Sequence, residues 1–96
     1  MKGWNNCQYE GIDHLEKQYD FKKYSRALAF LNAIAALAES YAHHPRLVLE
    51  WGTLTVAWGT HRSAEGSGVL DLDRALAIRC DQLYEAIQKE PRSLSD

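Results

Sequence analysis

The sequence predicts an α+β fold, a four-stranded antiparallel sheet with two helices packed on one face, in the order β-β-α-β-β-α. Three observations predict it. Two strand-like stretches precede one long apolar repeat at helical spacing. Two more strand-like stretches follow, joined by a short link around Gly52, which favours an antiparallel hairpin. A second helical repeat comes last. Each helix carries an apolar stripe that needs a sheet face to cover it.

The first strand is expected over residues 4–9, with Glu10-Gly11 as a turn after it. Residues 15–21 alternate, with Leu15, Tyr19 and Phe21 on one face, which reads as a half-buried strand. Tyr24, Ala27, Leu28, Leu31, Ile34, Ala35, Ala38 and Tyr41 then recur at helical spacing. Seven alanines between Ala27 and Ala42 raise helix propensity and permit close packing. Pro45 disfavours helical geometry in the residue before it, so the helix is expected to end near His43-His44. Strands follow over 47–51 and 53–58, with Leu54, Val56 and Trp58 sharing a face. A polar loop over 62–68 leads to a second helix beginning near Asp71, where Asp71 or Asp73 can sit at the positive N-terminus. Leu72, Leu76, Leu83 and Ile87 mark its stripe, which fades at Glu90-Pro91 into a frayed tail.

A chain of 96 residues argues for a single domain spanning residues 1–96, small enough to gain stability by self-association. A formal charge of −2 gives no electrostatic case for direct binding of nucleic acid or of an anionic membrane. No apolar run is long enough to span a bilayer, and the start lacks the apolar core of a signal peptide. Cys7 and Cys80 read as reduced, small apolar filler in a cytoplasmic protein.

Chemistry concentrates in three of the four histidines. His43 and His44 close the long helix and His61 follows the last strand, so both places can open on one end of the sheet. Glu39, four residues before His43, is expected on the same helix face, where it can orient or charge-stabilise an imidazole. An unperturbed histidine pKa of about 6.5 suits proton transfer near neutral pH. Two other readings remain open. His43-His44-Pro45 can be helix-terminal capping material. Three histidines with Glu39 can also make an open zinc site, although no His-x-x-x-His pair is present. Gly66-Ser67-Gly68 lacks the lysine and length of a phosphate-binding loop. Trp51 and Trp58, placed in strands, are expected in the core, with the lining of a flat heteroaromatic ligand as the alternative.

The pattern Glu39-x-x-x-His43-His44-Pro45, five residues, Trp51, nine residues, His61, then Asp73 resembles the signature of the pterin-4a-carbinolamine dehydratases. Leu15-Glu16-Lys17-x-Tyr19-x-Phe21-Lys22 and Ala27-Leu28-Ala29-Phe30 resemble the family's strand and helix start. Glu50-Trp51-Gly52-x-x-Thr55-Val56 resembles the bacterial branch, which works beside phenylalanine hydroxylase. The resemblance implies dehydration of 4a-hydroxytetrahydrobiopterin to quinonoid dihydrobiopterin in tetrahydrobiopterin recycling. It implies no metal and no cofactor, and a homodimer or homotetramer. It carries His43, His44 and His61 over as catalytic and binding histidines. It makes Pro45, Thr60, Arg62 and Ser63 pocket-lining positions, and Glu39 and Asp73 groups that orient the imidazoles.

The sequence departs from the family pattern in lacking a helix before Trp4 and in a longer loop between His61 and Asp73. The alternative function is a non-catalytic, protein-binding member of the same fold, of the transcriptional-coactivator or Rubisco-assembly type. The carboxysomal type tends to lose the His-His pair that this chain keeps.

Overall fold

The computed structural model describes residues 1–89. Strands β1 (Asn5–Tyr9) and β2 (Ile12–Asp20) form an antiparallel hairpin whose closing pair is Tyr9 and Ile12. Glu10 and Gly11 between them have φ of 55° and 78°. Two consecutive left-handed residues match the twist of a two-residue hairpin, and Gly11 adopts that conformation without a Cβ clash. Helix α1 (Tyr24–Tyr41) follows, then β3 (Arg46–Glu50), β4 (Thr53–Trp58) and helix α2 (Asp71–Lys89). The sheet order is β1-β2-β4-β3, antiparallel throughout. This is the expected α+β architecture, with both helices on one face. The expected fading of α2 at Glu90-Pro91 and the tail beyond it lie outside the described residues.

Register sets the core. Leu15 pairs with Trp58 and Tyr19 with Leu54, while Leu47 and Leu49 of β3 oppose Val56 and Leu54. These side chains share a face because strand periodicity is two. Against them pack Phe30, Ile34, Leu37 and Ala38 of α1 and Leu76, Ala77, Cys80 and Ile87 of α2. Tyr19, Phe21, Phe30 and Tyr84 meet edge-on or tilted, with ring centroids 4.8–5.7 Å apart. Such arrangements add to the burial energy of the rings.

The structure corrects four expectations. The buried stripe of α1 runs through Ala27, Phe30, Ile34, Leu37 and Ala38, whereas Tyr24, Leu28 and Tyr41 are exposed. Alanine-rich sequence leaves the direction of the stripe loosely specified, and the bulky Phe30 takes the centre. On α2, Leu72 is likewise exposed, and Asp73 rather than an apolar residue is buried in the first turn. The long helix also stops before the histidines. Ala42 takes the left-handed conformation (φ 50°), its N–H bonds Glu39 O, and the His43 N–H bonds Ala38 O. This pair of bonds is a Schellman cap, so His43 and His44 belong to the link into β3. Finally, Trp51 is not in the core. With Gly52 it forms the β3–β4 turn, at φ 32° and 88% exposed. Trp58 is in the core as expected. Gly52 is required there, because the Phe21 N–H bonds its carbonyl at 2.6 Å and a Cβ would lie 2.4 Å from Phe21 O.

Lys17 interrupts the apolar face of β2, and α2 answers it. Asp81 accepts hydrogen bonds from Lys17 Nζ (2.8 Å), Tyr19 Oη (2.6 Å) and Trp4 Nε1 (3.1 Å). Burial alone pushes the Asp81 carboxyl up. The hydrogen bonds from Lys17, Tyr19 and Trp4, with the lysine charge, outweigh it and hold the carboxyl below its usual range. Both cysteines are free. Burial pushes the Cys80 thiol up to about 12, so it stays protonated.

Replacing Asp81 with Ala strands three donors and is expected to cost about 2 kcal/mol in chemical denaturation at neutral pH. A depressed folded-state pKa stabilises above the unfolded value of about 3.9 and is lost as pH falls through the folded value. The gap between wild type and Asp81→Ala should therefore narrow on acidification below about pH 4. A gap constant across that range would refute the assignment.

Candidate functional site

The site is built where the β4 exit, the start of α2 and the link after α1 meet. Asp73 lies in the first turn of α2 and is fully buried. Its Oδ2 accepts the Thr60 hydroxyl (2.6 Å) and the Leu70 N–H (2.9 Å), and its Oδ1 lies 2.6 Å from His43 Nε2. The Leu70 bond is the backbone half of a capping box, the third helical side chain reaching back to the residue before the helix. A carboxylate accepts, so His43 Nε2 carries a proton, and in the neutral ring Nδ1 is the atom left with a lone pair. The His43 ring also stacks on Trp58, at 5.9 Å between centroids and 14° between planes. Two contacts thus fix one imidazole, which is mostly covered.

His44 is differently placed. Its Nε2 lies 2.5 Å from Glu39 Oε2, and both side chains are largely exposed. Glu39 therefore reaches His44 and not His43, because the left-handed Ala42 breaks the helical repeat that the sequence spacing assumed. An exposed pair of this kind contributes little to stability.

Thr60 and Gly68 exchange backbone hydrogen bonds of 2.8 Å in each direction, closing the loop that carries His61, Arg62 and Ser63. Within it Ser63 Oγ accepts the Glu65 N–H and donates to Gly66 O. Gly66 and Gly68 have φ of 110° and 100°, a region that favours glycine.

Two neighbouring depressions result. The larger, about 520 Å³, is lined by His43, Thr60, Arg62, Ser63, Val69 and Leu70, among others. The smaller, about 280 Å³, is lined by Tyr9, His14, His44, Pro45, Arg46 and His61, with Glu10 at its edge. Consecutive residues of the 43–44 and 60–62 segments alternate between them. The predicted residues are thus gathered at one end of the sheet but not in one depression. Among the described residues, no three His, Cys, Asp or Glu side chains are grouped to hold a metal ion. The zinc set of three histidines with Glu39 is not assembled.

His14 lines the smaller depression and had no sequence signal. It sits on β2 one residue out of phase with Leu15 and Tyr19, on the face away from the helices, where a polar side chain is ordinarily solvated. It is only 3% exposed. Tyr9 covers it edge-on at 5.2 Å, and Gly59 lies beneath it, so close that a Cβ there would come within 2.7 Å of the ring. Tyr9 in turn donates to Glu16, which pushes its phenol up to about 12, and Arg46 lies 4.2 Å over the Tyr9 ring. The one available clue was Gly59, a glycine at a strand exit with no turn to make.

The family model for pterin 4 alpha carbinolamine dehydratase matches residues 1–83 of the chain. The chain belongs to the pterin-4-alpha-carbinolamine dehydratase family. A relative from Saccharophagus degradans, provisionally named for this dehydratase, is 44% identical over 82 residues, which is 85% of this chain and 70% of the relative. Among solved structures, a transcriptional coactivator/pterin dehydratase from Brucella melitensis superposes with a TM-score of 0.71 at 28% identity, over 85% of this chain and 82% of that one. A pterin dehydratase-like protein identified as a RuBisCO assembly factor in the alpha-carboxysome superposes with a TM-score of 0.67 at 27% identity, over 84% and 88%. A transcriptional coactivator/pterin dehydratase and a pterin dehydratase-like RuBisCO assembly factor thus share this fold. Among the described residues, no helix is long and apolar enough to cross a membrane.

Thr60→Val keeps the shape of the side chain and removes one of the donors to buried Asp73. It is expected to cost about 1–2 kcal/mol of stability. The His43 ring signals in an NMR spectrum should shift at the same time, since both residues share that carboxylate. Unchanged His43 signals would separate the two groups.

Proposed function

We propose that this chain dehydrates 4a-hydroxytetrahydrobiopterin to quinonoid dihydrobiopterin by histidine acid–base catalysis, in cytoplasmic tetrahydrobiopterin recycling beside a phenylalanine hydroxylase. The observation that carries the reading is His43. Its Nε2 is held by buried Asp73, its ring lies on Trp58, and it borders a depression large enough for a bicyclic heterocycle.

The reaction removes the proton from N5, expels the 4a-hydroxyl as water with a second proton, and leaves a double bond between N5 and C4a. One imidazole takes the first proton and another supplies the second. His43 and His61 share these roles in the proposal, and His44, held by Glu39, grips the pterin. Asp73 fixes the tautomer and orientation of His43. Arg62 and Ser63 line the larger depression, which His43 borders, and Pro45 lines the smaller one with His44 and His61. Thr60 lines the larger depression too, but its hydroxyl is committed to Asp73 and its backbone to Gly68, so it contributes shape more than hydrogen bonds. The chemistry needs neither a metal nor a cofactor.

A second reading is a non-catalytic binding role, supported by the fold shared with the RuBisCO assembly factor. Turnover decides between them. With enzymatically generated 4a-hydroxytetrahydrobiopterin, wild type should outrun spontaneous dehydration. His43→Ala should lose at least about 100-fold, and excess chelator should change nothing. Wild type no faster than the spontaneous reaction would overturn the enzyme in favour of the binder.

The proposal includes a homodimer or homotetramer. Tyr24, Leu28, Tyr41 and Ile78 leave apolar surface exposed on the two helices, which a small domain gains by covering. Sedimentation equilibrium should return two or four times the chain mass of 10.9 kDa. A monomer at micromolar concentration would exclude it.

A further inference from the structure

Among the described residues, His61 makes no hydrogen bond and no ion pair. It is exposed, and it stands at the head of a polar, glycine-containing loop. An imidazole so placed ordinarily samples several rotamers, which would make it a poor proton carrier. Its single ring contact among the described residues is with His14, edge to face, at 5.7 Å between centroids and 87° between planes.

His14 is as fixed as His61 is free. Its Nδ1 lies 2.8 Å from Ile12 O, and because a carbonyl only accepts, Nδ1 carries the proton. Tyr9 closes one side of the ring. The bare backbone of Gly59 closes another, within the distance a Cβ would need. Gly59 is also two residues before His61, so the segment that delivers His61 is seated on the ring that His61 meets.

We propose that His14 is a positioning residue for His61: its buried, backbone-anchored ring, admitted by Gly59, holds the His61 imidazole facing the smaller depression. The inference rests on the acid–base reading for its kinetic consequence, but not for its structural one. His14 has no proton-transfer role in this proposal; although it lines the smaller depression, it is only 3% exposed and acts through His61. It limits the rotamers of that residue, and the rate depends on that orientation more than substrate affinity does. The contact needs a flat ring more than it needs a nitrogen, so Phe is the conservative replacement and Leu the disruptive one.

The test uses the full chain with isotopically labelled histidine, in wild type, His14→Phe, His14→Leu and Gly59→Ala, with His61→Ala to assign the signal. In wild type the His61 ring signal should be sharp and displaced from that of a free histidine by the ring current of His14. His14→Leu and Gly59→Ala should return it towards the free value, and His14→Phe should keep a displaced signal. In turnover, His14→Leu should lower kcat by on the order of 10- to 100-fold with KM held within about two-fold, and His14→Phe should recover most of it. A His61 signal that is the same in wild type and His14→Leu overturns the proposal, as does a Phe variant no better than Leu. Thermal melts identify any variant that fails to fold, and His14→Phe, the least disruptive, then decides against wild type by its His61 signal. Should wild type show no dehydratase activity, the acid–base reading fails, while the His61 signal still decides whether His14 positions it.

Discussion

A buried carboxylate must be met by donors, and at Asp73 the donors come from three separate parts of the chain. The Leu70 N–H belongs to the start of α2, the Thr60 hydroxyl to the exit of β4, and the His43 ring to the link after α1. A charge with no such partners would cost several kcal/mol in this environment. Folding therefore cannot complete the first turn of α2 without also drawing the strand exit and the imidazole into place. The same oxygens cap a helix, anchor the base of a loop and set a tautomer. The carboxylate also sits at the end of the helix where the macrodipole favours negative charge.

Trp58 carries that arrangement into the core. One face of its indole supports His43, and its N–H reaches Cys80 Sγ at 3.3 Å, within the packed interior of α2. Farther along α2, Asp81 binds β2 and the segment before β1 through Lys17, Tyr19 and Trp4. The helix is thus fastened to the sheet at two acidic points that face different strands. Apolar burial supplies most of the energy between them, but it is indifferent to small rotations. The two carboxylates are not, and they fix the angle at which α2 delivers Asp73.

The sequence made the element order and the gathering of chemistry at one sheet end legible, because strand alternation and helical spacing are local signals. What it concealed depended on distant partners. The stripe of α1 is ambiguous when alanines surround it, and only the position of Phe21, Tyr19 and Tyr84 selects Phe30 as its centre. The end of α1 turned on a left-handed alanine, a conformation that glycine or asparagine would have announced. That one residue moved Glu39 from His43 to His44. Trp51 read as core by its place in an expected strand, although Gly52 beside it already marked the turn. His14 was hidden because its burial comes from Gly59, remote in sequence, and from Tyr9 across the hairpin, on a sheet face where neither is expected to cover it. Asp73 was legible through family resemblance and as a helix-start acid, but not as a fully buried group.

The Thr60–Gly68 bridge separates two properties of the loop between them. Its base is pinned by a reciprocal pair of backbone hydrogen bonds and by the Thr60 hydroxyl on Asp73, while its tip is polar and exposed. The entropy of closing such a loop rises only with the logarithm of its length. Residues added beyond the clamp therefore cost the fold little and leave the carboxylate and its imidazole undisturbed. The outer wall of the larger depression can be rewritten by insertion while its floor is inherited unchanged, so diversification of what enters the site and preservation of what happens inside it become separate evolutionary problems.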